Sequence, residues 1–291
     1  MTTISARRIL SSALAAYSVA SGGAFSATLI YQEDFGNVTP STAITSSNTS
    51  LGAARPSNGS LTATTSTIGT GSSLRFSAAT TAGTASGAWI AKGSFGALTT
   101  MTMEFSVTLS TMQTGALGIT MGNGNTVANN LTNDGRNNDH FLWDLAILGA
   151  SGKVQHMTST GTYQDTGATL SAGLSYQFLI QVNATAAAVD GVAANTMSLY
   201  INGALVADDL QLRGATSNAN GFRMGARSAT AAGDLVGEID DIRVSNGIVA
   251  VPEPSMAVLC MGGAVLALRR QRRDSVKSGS KHRRSIHDRG N

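Results

Sequence analysis

The strictest pattern in the sequence is an alternation of apolar and polar residues from Met101 to Leu109, which runs over nine positions without an error. Successive side chains of a β-strand point to opposite faces of its sheet, so a period of two predicts a strand with one buried face. An α-helix would require a period near 3.6 and is excluded for this segment. The predicted buried residues are Met101, Met103, Phe105, Val107 and Leu109.

A β-hairpin is predicted around Asn202-Gly203, which separates the apolar runs Met197–Ile201 and Ala204–Val206. Both turn residues tolerate the positive φ that a two-residue hairpin loop requires, and Asn-Gly between apolar runs is the strongest short-range hairpin signal.

Short apolar runs separated by Gly, Asn and Ser turns fill the middle of the chain, and no amphipathic helix of ten residues interrupts them. This pattern predicts an all-β fold, a two-sheet antiparallel β-sandwich or jelly roll, as one domain of about 220 residues. The Ser/Thr-rich segment Thr39–Ser73 is expected to form exposed loops or irregular edge strands. The remaining predicted strands are Leu29–Phe35, Ser73–Ala78, Ala88–Ala91, Leu117–Met121, Phe141–Leu148, Val154–Met157, Tyr176–Asn183, Phe222–Ala226 and Glu238–Val244.

The N-terminus has the three parts of a secretory signal peptide. Arg7-Arg8 precede the mostly apolar run Ile9–Ala20, and small residues follow up to Ala27. Residues 1–27 are therefore predicted to be a signal helix that signal peptidase removes between about residues 24 and 27. The alternative is a buried N-terminal helix.

The C-terminal region begins with Pro252-Glu253-Pro254 and continues as an uncharged run, Met256–Leu268, before an arginine cluster. At 1.5 Å per residue this run covers about 20 Å, which is short of the roughly 30 Å hydrocarbon core of a bilayer. The lengths favour a temporary anchor over a permanent membrane span. The cluster, which is expected on the cytoplasmic side, consists of Arg269, Arg270, Arg272 and Arg273.

Together, Pro252, Glu253 and Pro254, the apolar run and the arginine cluster resemble the PEP-CTERM sorting signal, which is read by the membrane protease exosortase. The resemblance covers residues 249–273. It implies export in a Gram-negative bacterium, a transient stay in the inner membrane, and a final place at the cell surface or in the extracellular matrix of a biofilm. The partners it implies are exosortase, signal peptidase and extracellular polysaccharide. Residues 274–291 depart from the family, which usually ends soon after the arginines, and are predicted to be a disordered basic tail.

The net charge of +3 hides opposite charges in different parts of the chain. Residues 28–250 contain 9 Lys/Arg and 14 Asp/Glu, a net charge of −5, whereas residues 269–291 contain 9 Lys/Arg and 2 Asp, a net charge of +7. An acidic body offers no large positive patch for phosphates, which argues against a nucleic acid partner. The single cysteine, Cys260, excludes an intramolecular disulfide.

Four segments, in their order along the chain, resemble the LamG-like, concanavalin A-like jelly-roll superfamily. They are Tyr176–Val182, Leu199–Gly203, Phe222–Gly225 and Gly237–Val244. The resemblance implies a jelly-roll domain over residues 28–248, in which the last segment is the closing strand. It also implies a fold that hosts lectins, adhesion modules and glycoside hydrolases.

Glu238-Ile239-Asp240 is similar to part of the Glu-x-Asp-x-Glu motif of laminarinase-type hydrolases. Retaining hydrolysis needs a nucleophile and an acid close to the same sugar bond. The position two residues after Asp240 is Ile242, so the second acid is missing. No catalytic residue is therefore assigned.

The segment from Gly122 to His140 holds seven asparagines, and it is the first choice for a ligand-facing loop. Oxygen-rich loops can hold calcium, but position twelve of an EF-hand that starts at Asn130 would be Phe141 instead of Glu. The alternative is a solvated loop that joins two strands. The candidate ligand residues are Asn133, Asp134, Asn138, Asp139 and His140.

A structural Ca²⁺ is the one cofactor expected, held by Asp34 near the first strand and by Asp240 or Asp241 in the last. Resembling families often place calcium between these two strands. Strand alternation predicts that Asp240 and Asp241 point to opposite sides, so that only one reaches the ion. The alternative is a set of exposed surface acids.

Trp143 is predicted in the core, with Phe141, Leu145 and Ile147 at a period of two, whereas the pattern leaves the position of Trp89 open. The leading functional hypothesis is a non-enzymatic exported module that binds glycans or other matrix components. The alternatives are a polysaccharide hydrolase and a purely structural matrix protein, and the fold does not choose among them.

Overall fold

The computed structural model describes residues 27–55, 59–78, 88–93, 95–123, 141–227 and 234–251. In these ranges the chain forms fifteen strands and no α-helix. The strands are β1 (Thr28–Glu33), β2 (Ala53–Arg55), β3 (Gly59–Thr65), β4 (Ser72–Ala78), β5 (Trp89–Lys92), β6 (Thr100–Met112), β7 (Ala116–Gly122), β8 (Phe141–Leu148), β9 (Lys153–Met157), β10 (Tyr163–Thr169), β11 (Ser175–Asn183), β12 (Thr196–Ile201), β13 (Ala204–Gln211), β14 (Gly221–Arg227) and β15 (Leu235–Asn246).

The strands form two antiparallel sheets that pack face to face as a β-sandwich. One sheet has the order β13-β12-β11-β6-β15-β4-β3, with β1 also paired to β15. The other has the order β10-β9-β8-β7-β14-β5-β2 and is called the seven-stranded sheet below. The all-β sandwich predicted from the sequence is confirmed.

Strand β6 lies in the middle of its sheet, between β11 and β15. Its five predicted core residues are at most 2% exposed, which confirms the alternation. Three of the four polar residues between them are also buried, among them Thr102 at 1% and Ser106 at 7% exposed, because β6 has a paired strand on each side. Phe105 stacks on Phe178 of β11, with ring centroids 4.9 Å apart.

The predicted hairpin joins β12 to β13. Asn202 and Gly203 have φ values of 53° and 77°, the left-handed conformation that a two-residue hairpin turn needs. The Asn202 Oδ1 atom also accepts a hydrogen bond of 2.8 Å from the backbone N–H of Gln177. The alanine-rich segment after β11 is a loop, which the Asn183 side-chain amide closes by donating to the Ala187, Val192 and Ala193 carbonyl groups.

Three strands were not expected as distinct elements. β2 and β3 lie in the Ser/Thr-rich segment, each as the last strand of a sheet, so the edge-strand alternative is the correct one there. β10 is the opposite edge of the seven-stranded sheet and contains Gly167, which obscures its alternation.

The predicted signal peptide, sorting motif, arginine cluster and basic tail lie outside the described residues. Within the described ranges no helix is long and apolar enough to cross a membrane.

Candidate functional site

The first and last strands are direct neighbours, as the calcium hypothesis required. β1 pairs with β15 from Thr28 opposite Asn246 to Glu33 opposite Ile242. Asp34 follows β1, and its Oδ1 accepts a 3.0 Å hydrogen bond from the backbone N–H of Gly36. The carboxylates of Asp34, Asp240 and Asp241 are therefore brought to one end of the β1–β15 pair, which we call the acidic corner.

The predicted opposition of Asp240 and Asp241 is wrong. The pairing of β15 with β6 shifts register between Asp240 and Arg243, and Asp241 has a φ of 52°, so β15 contains a bulge at this point. A Cβ atom at Gly69 would lie 3.0 Å from Asp240 Oδ2 and 3.6 Å from Asp241 Oδ2. Both carboxylates therefore face the same turn, which a regular strand would not allow.

The ionised form of Asp240 is destabilised by its surroundings at the acidic corner. It is 2% exposed, and burial, together with the negative charges of Asp241 and Asp34, raises its pKa to about 6. Two hydrogen bonds act in the opposite direction, from Ser66 Oγ at 2.9 Å and from the backbone N–H of Asp241 at 2.9 Å. Burial and repulsion outweigh them, so ionisation of Asp240 costs the folded protein free energy.

The acidic corner supplies negative charge for a cation, but its described side chains do not form a complete coordination shell. Calcium takes six to eight oxygens, several of them from carboxylates. In the described part of the chain no group of three or more His, Cys, Asp or Glu side chains is placed to hold a metal ion. Calcium binding at Asp34, Asp240 and Asp241 stays a prediction.

Glu238 holds a turn of the chain in place. Its Oε2 accepts hydrogen bonds from Thr67 N at 3.1 Å, Thr67 Oγ1 at 2.8 Å and Ser73 Oγ at 3.1 Å. Glu238 and Asp240 thus anchor the β3–β4 turn to β15, and neither faces the seven-stranded sheet. These contacts give Glu238 and Asp240 of the Glu-Ile-Asp pattern a structural role in holding the turn.

The predicted ligand loop, with Asn133, Asp134, Asn138, Asp139 and His140, lies outside the described residues. Its attachment is defined, because β7 ends at Gly122 and β8 begins at Phe141, and the two strands are paired neighbours. The segment connects β7 to β8, which both interpretations required, and its role in binding a ligand stays a prediction.

A row of polar side chains crosses the seven-stranded sheet on the face that points away from the other sheet, which we call the outer face. Residues directly opposite each other in an antiparallel pair share a face. Arg223 of β14 is opposite Thr120 of β7, and Thr120 is opposite Asp144 of β8. The row continues to β10, where the Tyr163 hydroxyl donates to Asp144 Oδ2 at 2.7 Å.

Aromatic rings fix two arginines on this face. The Arg223 guanidinium lies 4.5 Å from the ring centre of Trp89 and 5.1 Å from that of Phe141. Arg213, between β13 and β14, lies 5.4 Å from the same Phe141 ring and donates to Met157 Sδ at 3.0 Å. Arg223 is fully buried and Arg213 is 8% exposed, so both cations are held in defined positions.

The outer face also holds two buried polar atoms whose hydrogen bonding differs from that of the row. Trp89 Nε1 and Thr120 Oγ1 have no hydrogen-bond partner in the described part of the chain, and both residues are 0% exposed. Leaving such a group unpaired costs about 1–3 kcal/mol. Trp89 packs with Ala91 apart from the main core, so its side chain lies on the outer side of β5, opposite to the core residue Ile90.

Trp143 is buried in the main core, as predicted, with Leu145 and Ile147. Its Nε1 also lacks a hydrogen-bond partner among the described residues. The grouping with Phe141 is wrong, because the β7–β8 register shifts between Met121 and Gly122 and Phe141 contacts the arginines of the outer face.

Sequence reasoning missed this cluster because its members come from distant segments. Trp89, Thr120, Phe141 and Arg223 meet only when β5, β7, β8 and β14 become neighbours. One signal was available, since Arg223 interrupts the otherwise apolar segment Phe222–Ala226. A buried charge in a strand needs a partner or a function.

No family model matches the sequence, and a search of curated proteins gives no match. Solved structures do match. The endo-β-1,4-glucuronan lyase of the fungus Trichoderma reesei has a TM-score of 0.52 at 14% identity, with 77% of this chain and 98% of that chain covered. Domain 4 of an extracellular arabinanase from Geobacillus stearothermophilus, solved with arabinotriose, has a TM-score of 0.43 at 16% identity, covering 77% of this chain and 95% of that chain. The binding domain of botulinum neurotoxin DC has a TM-score of 0.46 at 11% identity, with coverage of 77% and 48%.

At these identities the likeness to the lyase shows the fold alone. The chain is an all-β, two-sheet antiparallel sandwich of the jelly-roll kind.

Proposed function

We propose that this protein is an exported, non-enzymatic glycan-binding module whose ligand lies on the outer face of the seven-stranded sheet. The observation that carries the proposal is a pair of buried polar atoms beside aromatic rings, Trp89 Nε1 and Thr120 Oγ1, for which the described residues supply no hydrogen-bond partner. Ligand sites in proteins combine aromatic rings with a few precisely placed polar groups, and the outer face has this composition in side chains that are buried in this structure. A sugar offers both apolar C–H surface for the rings and hydroxyl oxygens for the donors.

A binding role is favoured over hydrolysis by the distribution of carboxylates. Glycoside hydrolysis uses two carboxyl groups on either side of one bond. In the described strands of the seven-stranded sheet the carboxylates are Asp144 and Asp165. Asp165 is exposed and pairs with Lys153 at 2.7 Å, at the edge of the sheet. Within the described strands this arrangement supplies one buried carboxylate, Asp144, to the outer face, and the other carboxylate lies at the exposed edge.

Export and sorting form the second part of the proposal. The signal peptide of residues 1–27 and the PEP-CTERM-like signal of residues 249–273 are the sequence features that support it. In this proposal the folded domain is delivered to the cell surface or to the extracellular matrix, where it would meet polysaccharide. Exosortase and signal peptidase are the processing partners in this scheme.

Calcium at the acidic corner is the third part. Repulsion among Asp34, Asp240 and Asp241 raises the free energy of the folded state, and a divalent cation between them would remove that repulsion. Its role here would be structural.

The direct test is binding of the purified full-length chain to an array of immobilised polysaccharides. Trp89→Phe keeps an aromatic ring but removes the N–H group, and Thr120→Val keeps the shape but removes the hydroxyl. We expect each to weaken binding by about fivefold or more, as expected for one lost hydrogen bond. Thr62→Val, on β3 of the other sheet, is the matched control and should bind like the wild type. Wild-type binding to no polysaccharide would contradict the proposal.

A further inference from the structure

We propose that one end of the sandwich is a membrane-contact surface in the precursor, where Leu29 and Ile30 enter the lipid headgroup region. This is the end at which β1 begins and β15 ends, and we call it the exit end. The inference rests on the export and sorting part of the proposed function. It goes beyond that part, because a sorting anchor does not by itself determine which surface of the folded domain lies against the bilayer.

The first and last strands bring both ends of the described domain together at the exit end. Thr28 at the start of β1 is opposite Asn246 at the end of β15. A Cβ atom at Gly247 would lie 3.3 Å from the Cα atom of Ala27, so the two ends are adjacent. The predicted signal peptide and the predicted sorting signal are therefore attached to the domain side by side.

Side chains of β6 and β11 fix the segment that follows β15. The Thr102 hydroxyl donates to the Gly247 carbonyl group at 3.0 Å and accepts from the Val249 N–H at 2.9 Å. Gln181 Nε2 donates to the Val249 carbonyl group at 2.7 Å. The chain is thus held on the domain as far as Val249, only three residues before Pro252.

The connection between the domain and the predicted anchor is short. Five residue steps separate Val251 from Met256, the first residue of the uncharged run. An extended chain covers at most about 18 Å over five steps. An apolar run that enters the bilayer at Met256 therefore holds the exit end within about 18 Å of the membrane surface.

The exit end exposes a pair of large apolar side chains. Among the described residues four large hydrophobic side chains are exposed, and Leu29, at 51%, and Ile30, at 37%, are the two that adjoin each other. They follow Ala27 and Thr28 on β1, so they lie next to the chain exit. Exposed apolar side chains gain free energy when they leave water for the bilayer interface.

The loops at the exit end carry little charge that would oppose this contact. Strand pairing brings together residues 95–99, 184–195, 214–220 and 247–251 at this end. Asp190 is the single charged residue in these four described ranges. Because removing charge from water is costly, a surface with few charges can approach lipid at little expense. The neighbouring anchor and the apolar pair therefore favour lipid as the occupant.

The experiment compares two equally exposed leucines at opposite ends of the sandwich. Leu205 is 52% exposed and lies beside the β12–β13 turn, away from the exit end. In the full-length chain, Cys260→Ser removes the natural cysteine, and Leu29→Cys or Leu205→Cys supplies one site for a polarity-sensitive nitrobenzoxadiazole label. Each labelled chain is incorporated into vesicles of phosphatidylethanolamine and phosphatidylglycerol, with or without a nitroxide-bearing phospholipid as quencher. We expect the label at residue 29 to shift its emission to shorter wavelength and to be quenched, and the label at residue 205 to keep its aqueous emission.

A second pair of variants separates contact from mere attachment. Ile30→Asp places a charge beside the label at residue 29 and should reduce its quenching by about twofold or more. Leu174→Asp is the matched control, because Leu174 is 56% exposed at the start of β11, at the opposite end. It should leave the quenching at residue 29 unchanged.

The contradicting results are distinct. Equal emission and quenching at residues 29 and 205 in chains bound to vesicles overturns the inference and leaves the anchor intact. A shift at residue 29 that occurs without vesicles and grows with protein concentration assigns the apolar pair to contact between two copies, and it also overturns the inference. A full-length chain that does not associate with vesicles contradicts the anchor, and with it the sorting part of the proposed function.

Discussion

Replacing Asp240 with asparagine should stabilise the protein at neutral pH, although it removes a charged residue from the last strand. Burial, with Asp241 and Asp34 nearby, raises the pKa of Asp240 from 3.8 to about 6. The folded state therefore binds this proton more tightly than the unfolded state. Below about pH 4 Asp240 is protonated in both states and does not lower the free energy of unfolding. As the pH rises towards 6 its ionisation lowers that free energy progressively, and above about pH 6 the full effect is present.

The size of the effect follows from the same shift. A difference of about two pKa units corresponds to roughly 3 kcal/mol, which is the upper limit for removal of the charge. The introduced amide still accepts from the Asp241 N–H but changes the contact with Ser66, which offsets about 1 kcal/mol. We expect Asp240→Asn to raise the free energy of unfolding by about 1–2 kcal/mol at pH 8 and to leave it nearly unchanged at pH 4.

The assay is urea unfolding at several pH values from 4 to 8 in the presence of EDTA, followed by the fluorescence of the two buried tryptophans. Asp209→Asn is the matched control, because Asp209 is also an aspartate within a strand but is exposed on β13. The control should follow the pH dependence of the wild type. A variant that is less stable than the wild type at pH 8, or that keeps the same pH dependence, would refute the account of the acidic corner.

Three further predictions concern metal, packing and processing. If Ca²⁺ binds the acidic corner, a hundredfold excess over Kd stabilises the wild type by about 2.7 kcal/mol, and Asp34→Ala removes this shift; coincident thermal melts with calcium and with chelator would contradict it. Gly225→Ala should lower the free energy of unfolding, measured with urea, by about 2 kcal/mol or more, because the new Cβ would lie 2.2 Å from the Ala88 carbonyl oxygen. The control Gly52→Ala should change it little, because the nearest atom to its new Cβ would be 3.6 Å away. Intact-mass measurement of the native extracellular protein should show a chain that begins near Ala27 and ends near Pro254; retention of residues 256–273 would contradict the sorting signal.

Local patterns were sufficient to predict most of the sandwich. Alternation identified β6, and Asn202-Gly203 identified the β12–β13 hairpin, because each of these signals is contained within ten residues. β10 was missed, and β3 lay in a segment for which loops and edge strands were both left open, since both are edge strands rich in Ser, Thr and Gly. Only pairing with a neighbour distinguishes them from loops.

The acidic corner and the arginine cluster of the outer face could be predicted only in part from local patterns. Pairing of the first and last strands was anticipated, and Asp34 does lie close enough to Asp240 to affect its pKa. The side-by-side carboxylates of Asp240 and Asp241 depend on a bulge, which simple alternation does not contain. The arginine cluster of the outer face depends on contacts between residues as far apart as Trp89 and Arg223, which no local pattern records.

The most direct test of the central claim uses the tryptophan of the outer face as a reporter. The chain has two tryptophans, so Trp143→Phe leaves Trp89 as the single source of indole fluorescence. Titration of this variant with a polysaccharide that binds the wild type should change the emission of Trp89 in a saturable way, with the same Kd as direct binding. The Trp89→Phe variant, in which only the core Trp143 emits, should show no such change at ligand concentrations that still give binding. A Trp89 signal that stays constant while the polysaccharide binds would contradict a ligand site on the outer face.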